Sequence, residues 1–463
     1  MSHFKYKYTI LVPTHQRGAL LRETLRGLLL QEHDNYQIVV SNNYSQDETR
    51  TVLSEYARES RVTIIHTDRK LSMPVHWEFA MGHVEGEYII ILGDDDGVRP
   101  DFLSTLDIVI ENTGANLIKF KTGLYYHNDW IDDNRNTFEF DDRCSNRYFE
   151  VDKHSVISDF CEFTNYAIFP NLLQTCFSLE LFRKAKKKCG TVFVGAPDWS
   201  CPFVLLMDDS AKLVYVDSTL GYGGRSQMSN VAYYFESAAN TTQNDRITDF
   251  LNELSAEVRF PYHEPKITAA GNFTPAAFSY AKHFYSEELR SFALNKFELC
   301  KCIQQDIAEE AVSKRRRFWT PSEFESFKNF VQELSSSERE AIHGMAGFFS
   351  LTGRGRLLLK LVKRRVLKFA PSPLRTWIQS IRKREMDSKY PWNTKVNLNG
   401  RDIKNGYELM KSFSAIVKKS DECSETKNLA LVRSPELSSR GQLNLPATRN
   451  LVRRTFQDTR AHI

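Results

Sequence analysis

The sequence lacks a membrane-spanning segment, since no apolar run in its 463 residues reaches the roughly 18 residues that a transmembrane helix requires. The polar start, Met1–Tyr8, has the features of neither a signal peptide nor a transit peptide. The eight cysteines include no CxxC pair, the spacing typical of zinc and redox sites. We therefore expect free thiols in a cytoplasmic protein, without a disulfide framework or a zinc site.

Charge is distributed unevenly along the chain. The net charge is only +4, yet residues 314–463 hold 31 Lys and Arg against 14 Asp and Glu, so the remainder is acidic. A strongly basic nucleic-acid binder is not indicated by so small a net charge, and the two parts should do different jobs. After residue 420 the chain is rich in Ser, Asn and Arg, which is typical of disorder. We predict a catalytic domain over 1–240, a helical region over 241–420 and a disordered tail over 421–463.

The first 120 residues alternate short apolar runs with segments of helical periodicity. Strands are predicted at 8–12, 37–40, 62–65 and 87–92, with helices at 18–32, 47–60 and 75–84 between them. Strands this apolar predict an α/β fold, in which a Rossmann-like, mostly parallel sheet is covered by helices on both faces. Because such sheets bind ligands beyond the carboxyl ends of their strands, Pro13-Thr14, Ser41–Asp47 and Gly93–Asp96 should meet at one rim.

Three consecutive carboxylates, Asp94, Asp95 and Asp96, follow the fourth strand. Neighbouring carboxylates repel one another, so a folded protein seldom groups them without a cation. Their oxygens suit Mg²⁺ or Mn²⁺, and Mg²⁺ is usually held by one or two carboxylates together with substrate phosphates. The triplet therefore predicts a metal-bound diphosphate, and the alternative is a solvated acidic loop that caps the next helix.

Three segments in this order resemble the family 2 glycosyltransferases that build bacterial surface polysaccharides: Ile10–Thr14, Val39–Asp47 and Gly86–Asp96. The resemblance covers residues 8–125 and extends weakly to about residue 230. It implies a GT-A fold, a nucleotide-diphosphate sugar donor, a divalent metal (Mg²⁺ or Mn²⁺) and inversion at the anomeric carbon.

The resemblance also assigns donor-binding residues by position. Asn42 stands where the family usually has an aspartate that hydrogen-bonds the base. Because Asn offers a donor as well as an acceptor, the identity of the base, usually uracil, stays open. Asp94 would meet the ribose or the sugar and Asp96 the metal, with a register uncertain by one residue, so Asp94 is also a candidate metal ligand. The donor-binding candidates are Pro13, Thr14, Arg17, Asn42, Lys70, His76, Asp94, Asp95 and Arg225. For His76 the alternative is a surface position on a helix, and for Arg225 it is an ordinary Gly-rich linker over 222–230.

An inverting transfer needs one carboxylate to remove the proton of the acceptor hydroxyl. The family places this base well after the metal motif and before a helix, where this chain has Asp198 after Pro197. The alternative is that Asp198 only caps the following helix, because Asp is favoured at that position. Asp208 and Asp209, at the far end of the same apolar run, are the rival pair.

Residues 354–384 contain eleven Lys and Arg and no acidic residue. Their leucines and valines fall largely on one helical face, with most of the basic residues opposite. A cationic amphipathic helix of this kind lies naturally on anionic lipid. The alternatives are docking on the acidic catalytic domain and binding of nucleic acid.

The sequence thus predicts an inverting glycosyltransferase that moves a sugar from a nucleotide-diphosphate donor, expected to be a UDP-sugar, to a hydroxyl of a glycan or lipid-linked acceptor. It would work in the cytoplasm or on the inner face of the cell membrane. One alternative is a nucleotidyltransferase, although Pro13–Gly18 has a single glycine where that class has a Gly-rich loop. The other is a non-enzymatic nucleic-acid-binding protein that acts through the basic region, but nucleic acid is not an expected partner.

Deletion of residues 354–384 should reduce binding to anionic vesicles, because it removes the predicted cationic helix. Flotation of the full chain and the deletion variant with anionic vesicles measures this, and neutral vesicles serve as the control. Equal flotation of the two proteins with anionic vesicles would contradict the membrane prediction.

Overall fold

The computed structural model describes most of the N-terminal half of the chain and parts of the C-terminal half. The described residues are 4–130, 134–141, 145–229, 254–313, 320–343, 393–399, 403–421 and 432–433. The basic segment 354–384 and nearly all of the predicted tail lie outside them. Within the described ranges no helix combines the length and the apolar character needed to cross a membrane. The six cysteines in those ranges are free thiols, as predicted.

Twelve strands and twelve α-helices make up the described secondary structure. The strands are β1 Tyr6–Thr14, β2 Tyr36–Asn42, β3 Val62–His66, β4 Gly86–Ile91, β5 Gly97–Val98, β6 Leu117–Tyr126, β7 Thr137–Asp141, β8 Arg147–Glu150, β9 Thr175–Ser178, β10 Leu213–Arg225, β11 Asn393–Asn397 and β12 Val432–Arg433. The helices are α1 Gly18–Leu28, α2 Thr49–Glu55, α3 Met73–Met81, α4 Phe102–Thr113, α5 Lys153–Cys161, α6 Leu179–Cys189, α7 Pro197–Leu206, α8 Ala256–Arg259, α9 Ala270–Phe284, α10 Lys296–Ser313, α11 Pro321–Gln332 and α12 Gly406–Asp421. A short 3₁₀ turn, Leu172–Gln174, precedes β9.

The central sheet has the order β3-β2-β1-β4-β9-β6-β10-β8-β12. Strands β1 to β4 pair in parallel, as do β6 and β10, whereas β9 runs antiparallel to both of its neighbours. Parallel strands β1, β2 and β4 are apolar throughout because both faces of the sheet are covered. The predicted α/β class is confirmed, and its central strands and helices lie close to the predicted positions.

Alternate residues of β1 enter two different hydrophobic clusters, as the period of a strand requires. Ile10 and Val12 pack with helices α1, α2 and α4 on one face. Leu11 packs with helices α3, α5, α6 and α7 on the other face. The carboxyl ends of β1, β2 and β4 are therefore held at one rim by a core on each side.

The C-terminal region was predicted to be helical, but it also contributes two strands to this sheet. Strand β11 pairs with β7, β12 pairs with β8, and α12 packs against α1 and β5. The buried side chain of Met410 in α12 fills the space beside two glycines: a Cβ on Gly27 would lie 1.8 Å from its Cε, and a Cβ on Gly97 would lie 2.7 Å from its Sδ. Gly97 directly follows the carboxylate triplet, so α12 supports that loop from behind.

The predicted loop over 222–230 is partly wrong, because β10 extends to Arg225. Gly223, Gly224 and Arg225 pair with Leu124, Tyr125 and Tyr126 of β6. The glycines reflect close packing rather than a loop, since a Cβ on Gly224 would lie only 1.8 Å from the carbonyl oxygen of Asp95.

Substitution of Met410→Ala should destabilise the protein by about 2–5 kcal/mol, because it removes a fully buried side chain and leaves a cavity. Urea unfolding of the full chain measures the change. Lys411→Ala is the matched control, since Lys411 is an exposed neighbour on the same helix. An unchanged unfolding midpoint for Met410→Ala would show that α12 does not hold the loop.

Candidate functional site

A cleft of about 670 Å³ opens at the carboxyl ends of the strands, within the range of about 300–1,000 Å³ that is usual for ligand pockets. All three predicted strand ends contribute to it, so the expectation that they meet at one rim is confirmed. The sequence-predicted site residues that line it are Pro13, Thr14, Arg17, Lys70, His76, Asp94, Asp95, Asp96 and Asp198. Asn42 and Arg225 do not line it.

The carboxylate triplet lies at the centre of the cleft and is buried, with residue exposures of 3%, 7% and 8% for Asp94, Asp95 and Asp96. The solvated-loop alternative therefore does not describe it. The hydroxyl of Thr24 in α1 donates to the carbonyl oxygens of both Asp94 and Asp96, at 3.0 Å each. This contact anchors the loop to the first helix.

Each carboxylate in the triplet has a different set of partners. Asp94 accepts from the Thr14 hydroxyl at 2.6 Å and from the Arg17 guanidinium at 2.8 Å. Asp95 accepts from the hydroxyl of Ser229 at 2.6 Å. Asp96 accepts from two backbone N–H groups, of Gly93 at 2.8 Å and Gly224 at 3.0 Å. The three side chains are thus fixed before any ligand binds.

Positive charge near the triplet is insufficient to balance it. The guanidinium of Arg17 pairs closely with Asp94, but lies 3.8 Å from the nearest oxygen of Asp95. Burial, together with the charge of Asp95, raises the pKa of Asp96 to about 7. Burial also raises the pKa of Asp94, although Arg17 opposes that shift. A bound cation would relieve this crowding of negative charge.

The donor set fits a hard divalent cation that is bound only partly by protein. No group of three or more His, Cys, Asp or Glu side chains converges on a metal position anywhere in the described ranges. A Mg²⁺-type site, however, needs only one or two carboxylates when phosphates and water supply the other ligands. The Arg17 guanidinium already pairs with Asp94, whereas Asp95 and Asp96 accept hydrogen bonds from neutral donors, so Asp95 and Asp96 are the better placed to hold a cation.

The side of the cleft formed by β1 and β2 differs from prediction at one position. Asn42 is fully buried: its amide nitrogen lies 3.1 Å from His66 Nδ1, and its oxygen accepts from Ser45 N. The next residue, Asn43, lines the cleft, and its side-chain amide donates to the carbonyl oxygen of Leu71 and accepts from the backbone N–H of Leu71, at 2.8 Å each. Tyr44 follows with a φ of 57° and is 40% exposed in the cleft wall.

His76 is a buried cleft residue rather than a surface one. Its Nε2 lies 2.8 Å from the Ser41 hydroxyl, and burial lowers its pKa to about 4, so it is neutral at physiological pH. Lys70 is exposed at the cleft entrance.

Arg225 is buried behind the cleft wall, with its guanidinium 5.7 Å from the centre of the Tyr126 ring. Its Nε and Nη2 have no hydrogen-bond partner. The side chain thus carries unused donors, but it does not face the cleft in this conformation.

Asp198 lines the same cleft as the triplet and lies in the first turn of α7. The N-cap position of α7 is Ala196, and no side chain caps the helix, so the capping alternative does not account for Asp198. One carboxylate oxygen accepts from Asn171 Nδ2 at 3.1 Å. Burial raises the pKa of Asp198 to about 6. The rivals Asp208 and Asp209 do not line the cleft.

Several cleft residues escaped the sequence analysis. They are Asn43, Tyr44, Lys119, Thr122, Tyr166, Asn171, Gln174, Trp199 and Phe273. Asn43 could have been found, because it is adjacent to Asn42 in the same motif. The others come from segments whose only signal is local, and the sheet brings them together.

The N-terminal part of the chain is similar to a known protein family. Residues 9–169 match the model of Glycosyl transferase family 2. The putative teichuronic acid biosynthesis glycosyltransferase TuaG of Bacillus subtilis is 22% identical over 117 residues, 25% of this chain and 46% of that protein. The GalNAc(5)-diNAcBac-PP-undecaprenol β-1,3-glucosyltransferase of Campylobacter jejuni is 26% identical over 102 residues, 22% of this chain and 33% of that protein.

Among solved structures, residues 1–349 of S. aureus TarS in complex with UDP-GlcNAc are 13% identical, with a TM-score of 0.43 over 75% of this chain and 89% of that one. The chain spans less than half the length of the two curated relatives it matches. The match to the family model covers the N-terminal α/β unit that carries the carboxylate triplet. Over residues 9–169 the chain is similar to the family 2 glycosyltransferases, the family that the sequence motifs predicted.

Proposed function

We propose that the protein transfers a sugar, with inversion, from a nucleotide-diphosphate sugar to an acceptor hydroxyl in bacterial surface-glycan synthesis. The observation that carries the proposal is a single cleft that contains two kinds of acidic group. One is the carboxylate triplet, whose negative charge is not balanced by nearby positive groups, and the other is the separate, buried Asp198. The first can hold a metal-bound diphosphate, and the second can accept a proton.

The nucleotide would lie against the ends of β1 and β2. Pro13, Asn43 and Tyr44 line that part of the cleft. The exposed ring of Tyr44 offers a face for the base, and Lys70 at the entrance offers charge to a phosphate. A UDP-sugar is the donor that the family resemblance implies. Asn42, whose side chain is used within the turn, would shape this pocket without touching the base.

Asp96, with Asp95 beside it, would hold Mg²⁺ or Mn²⁺, while Asp94 and Arg17 would position the ribose or the sugar. When bound, the cation would offset the negative charge that develops on the leaving diphosphate. The backbone donors of Gly93 and Gly224 keep the Asp96 carboxylate in one orientation. The chain therefore supplies a preorganised anionic binding site for the cation.

Asp198 would remove the proton of the acceptor hydroxyl as its oxygen attacks the anomeric carbon and the bond to the diphosphate breaks. A pKa of about 6 leaves this carboxylate ionised at pH 7 but more basic than an ordinary aspartate. The hydrogen bond from Asn171 holds it in place. The aromatic residues Tyr166, Trp199 and Phe273 line the adjacent wall, where the acceptor would lie.

We also propose an acceptor class and a location for the protein. The names of the two relatives concern teichuronic acid synthesis and an undecaprenyl-diphosphate glycan. A glycan or lipid-linked acceptor at the inner face of the membrane would suit the cationic segment 354–384, which lies outside the described residues. Nucleic acid is not a proposed partner.

Substitution of Asp96→Asn should weaken nucleotide binding in Mn²⁺ by about tenfold or more, a loss of at least about 1.4 kcal/mol. The amide cannot supply the charge that the cation requires. Calorimetry with UDP, GDP, CDP and TDP, each with Mn²⁺ and with EDTA, measures the effect.

Asp209→Asn is the matched control, since Asp209 is exposed and outside the cleft. Wild-type affinity that is indifferent to EDTA, or an Asp96→Asn variant that binds as tightly as wild type, would refute the metal role.

Substitution of Asp198→Asn should lower kcat by about 10²–10⁴-fold while nucleotide affinity stays the same, because only proton removal is lost. In the wild type, kcat should fall as pH drops below about 6, since protonation of Asp198 removes the base. UDP release in the presence of acceptor measures both effects.

Asp208→Asn, at the other end of α7, is the control for this experiment. Full turnover by Asp198→Asn would assign the base elsewhere, and so would a wild-type rate that rises as the solution becomes more acidic.

A further inference from the structure

Lys119 is a lysine in the wall of the cleft that the proposed reaction does not use. It lies in β6, lines the cleft and is only 3% exposed. Its Nζ donates to the side-chain oxygen of Gln174, and no carboxylate of the described residues pairs with it. A buried ammonium group therefore points its charge at a neutral amide.

Such an arrangement is costly for the folded protein. Removing an ammonium group from water without a counter-ion disfavours its charged form. Burial alone lowers the pKa of Lys119 to about 7. Methionine or leucine would fit this apolar strand at lower cost, so the charge has no evident structural purpose.

The neighbours of Lys119 connect it to the proposed base. Asn171 and Gln174 are three residues apart around the 3₁₀ turn, a spacing that places their side chains on one face. Asn171 donates to Asp198 at 3.1 Å, whereas Gln174 accepts from Lys119 and donates to Thr122 at 2.7 Å. One short turn thus positions both the carboxylate and the ammonium group.

Sheet order places Lys119 on the side of β4 that is opposite the nucleotide side. The nucleotide side is formed by β1 and β2, whereas β6 lies on the other side of β4 beyond β9. Because the 3₁₀ turn holds both Lys119 and Asp198, a group that binds Lys119 would lie beside Asp198.

We propose that Lys119 is the counter-ion of an anionic substituent, a carboxylate or a phosphate, on the sugar that binds beside Asp198. The inference rests on the proposed function and narrows its substrate class to acidic saccharides. The acidic group can come from the donor sugar, as in a uronic acid donor, or from the acceptor glycan. Gln174 and Thr122 would orient the ammonium group toward it.

The experiment compares matched acidic and neutral ligands on the full chain with Mn²⁺. UDP-glucuronic acid against UDP-glucose, by calorimetry, tests the donor as the source. Methyl β-glucuronide against methyl β-glucoside, by ligand-observed NMR with UDP bound, tests the acceptor. The wild type should prefer the acidic member of one pair by about ten- to a hundredfold, the range expected for a charge-assisted hydrogen bond.

Lys119→Met should abolish that preference, because it removes the buried charge. UDP affinity and thermal stability should be retained. Gln174→Glu should abolish it in a different way, by giving Lys119 an internal counter-ion without removing the lysine. Loss of preference in both variants separates the charge from the shape of the pocket.

A wild type that binds UDP but treats both pairs alike would overturn the inference and leave the proposed function standing. Retention of the preference by Lys119→Met would also overturn it. Absence of metal-dependent UDP binding in the wild type would overturn the proposed function and this inference with it.

Discussion

Burial of three adjacent carboxylates beside a single guanidinium is the constraint on which the rest of this structure depends. Such a cluster is unfavourable by itself, yet Thr24, Gly93 and Gly224 hold it in place through backbone contacts. The folded chain thereby presents a region of concentrated negative charge at the end of a rigid sheet. A site of this kind selects for ligands that bring positive charge, and a diphosphate that carries a divalent cation is such a ligand.

The same cleft contains ionisable groups whose surroundings shift their pKa values in opposite directions. Burial raises the pKa of Asp198 and lowers the pKa of Lys119. Enzymes commonly arrange such groups where substrates supply the missing partner, at some cost in stability. Here the 3₁₀ turn holds both groups in place through the side chains of Asn171 and Gln174.

Much of the fold and about half of the site could be predicted from the sequence. The apolar runs that end at Pro13 and Gly93 carry both the strand signal and the ligand position, because parallel strands share one rim. The family resemblance assigns the base contact to Asn42 by position, but Asn42 is the buried last residue of β2, and Asn43, one residue later, lines the cleft. Lys119 gave no signal, since a lysine in a strand normally faces solvent, and only the pairing of β6 with β9 and β10 shows that it does not.

The C-terminal strand and helix could not be predicted for a related reason. Their partners, β7 and α1, lie far away in the sequence, and no local pattern reports such a contact. Met410 enters the gap between Gly27 and Gly97 from roughly 300 residues downstream, so a ribosome that adds about 5–20 residues per second would expose the unfilled gap for roughly 15–60 s. During that interval the nascent chain would lack the side chain that packs beside the acidic loop, so this part of the fold is completed only near the end of synthesis.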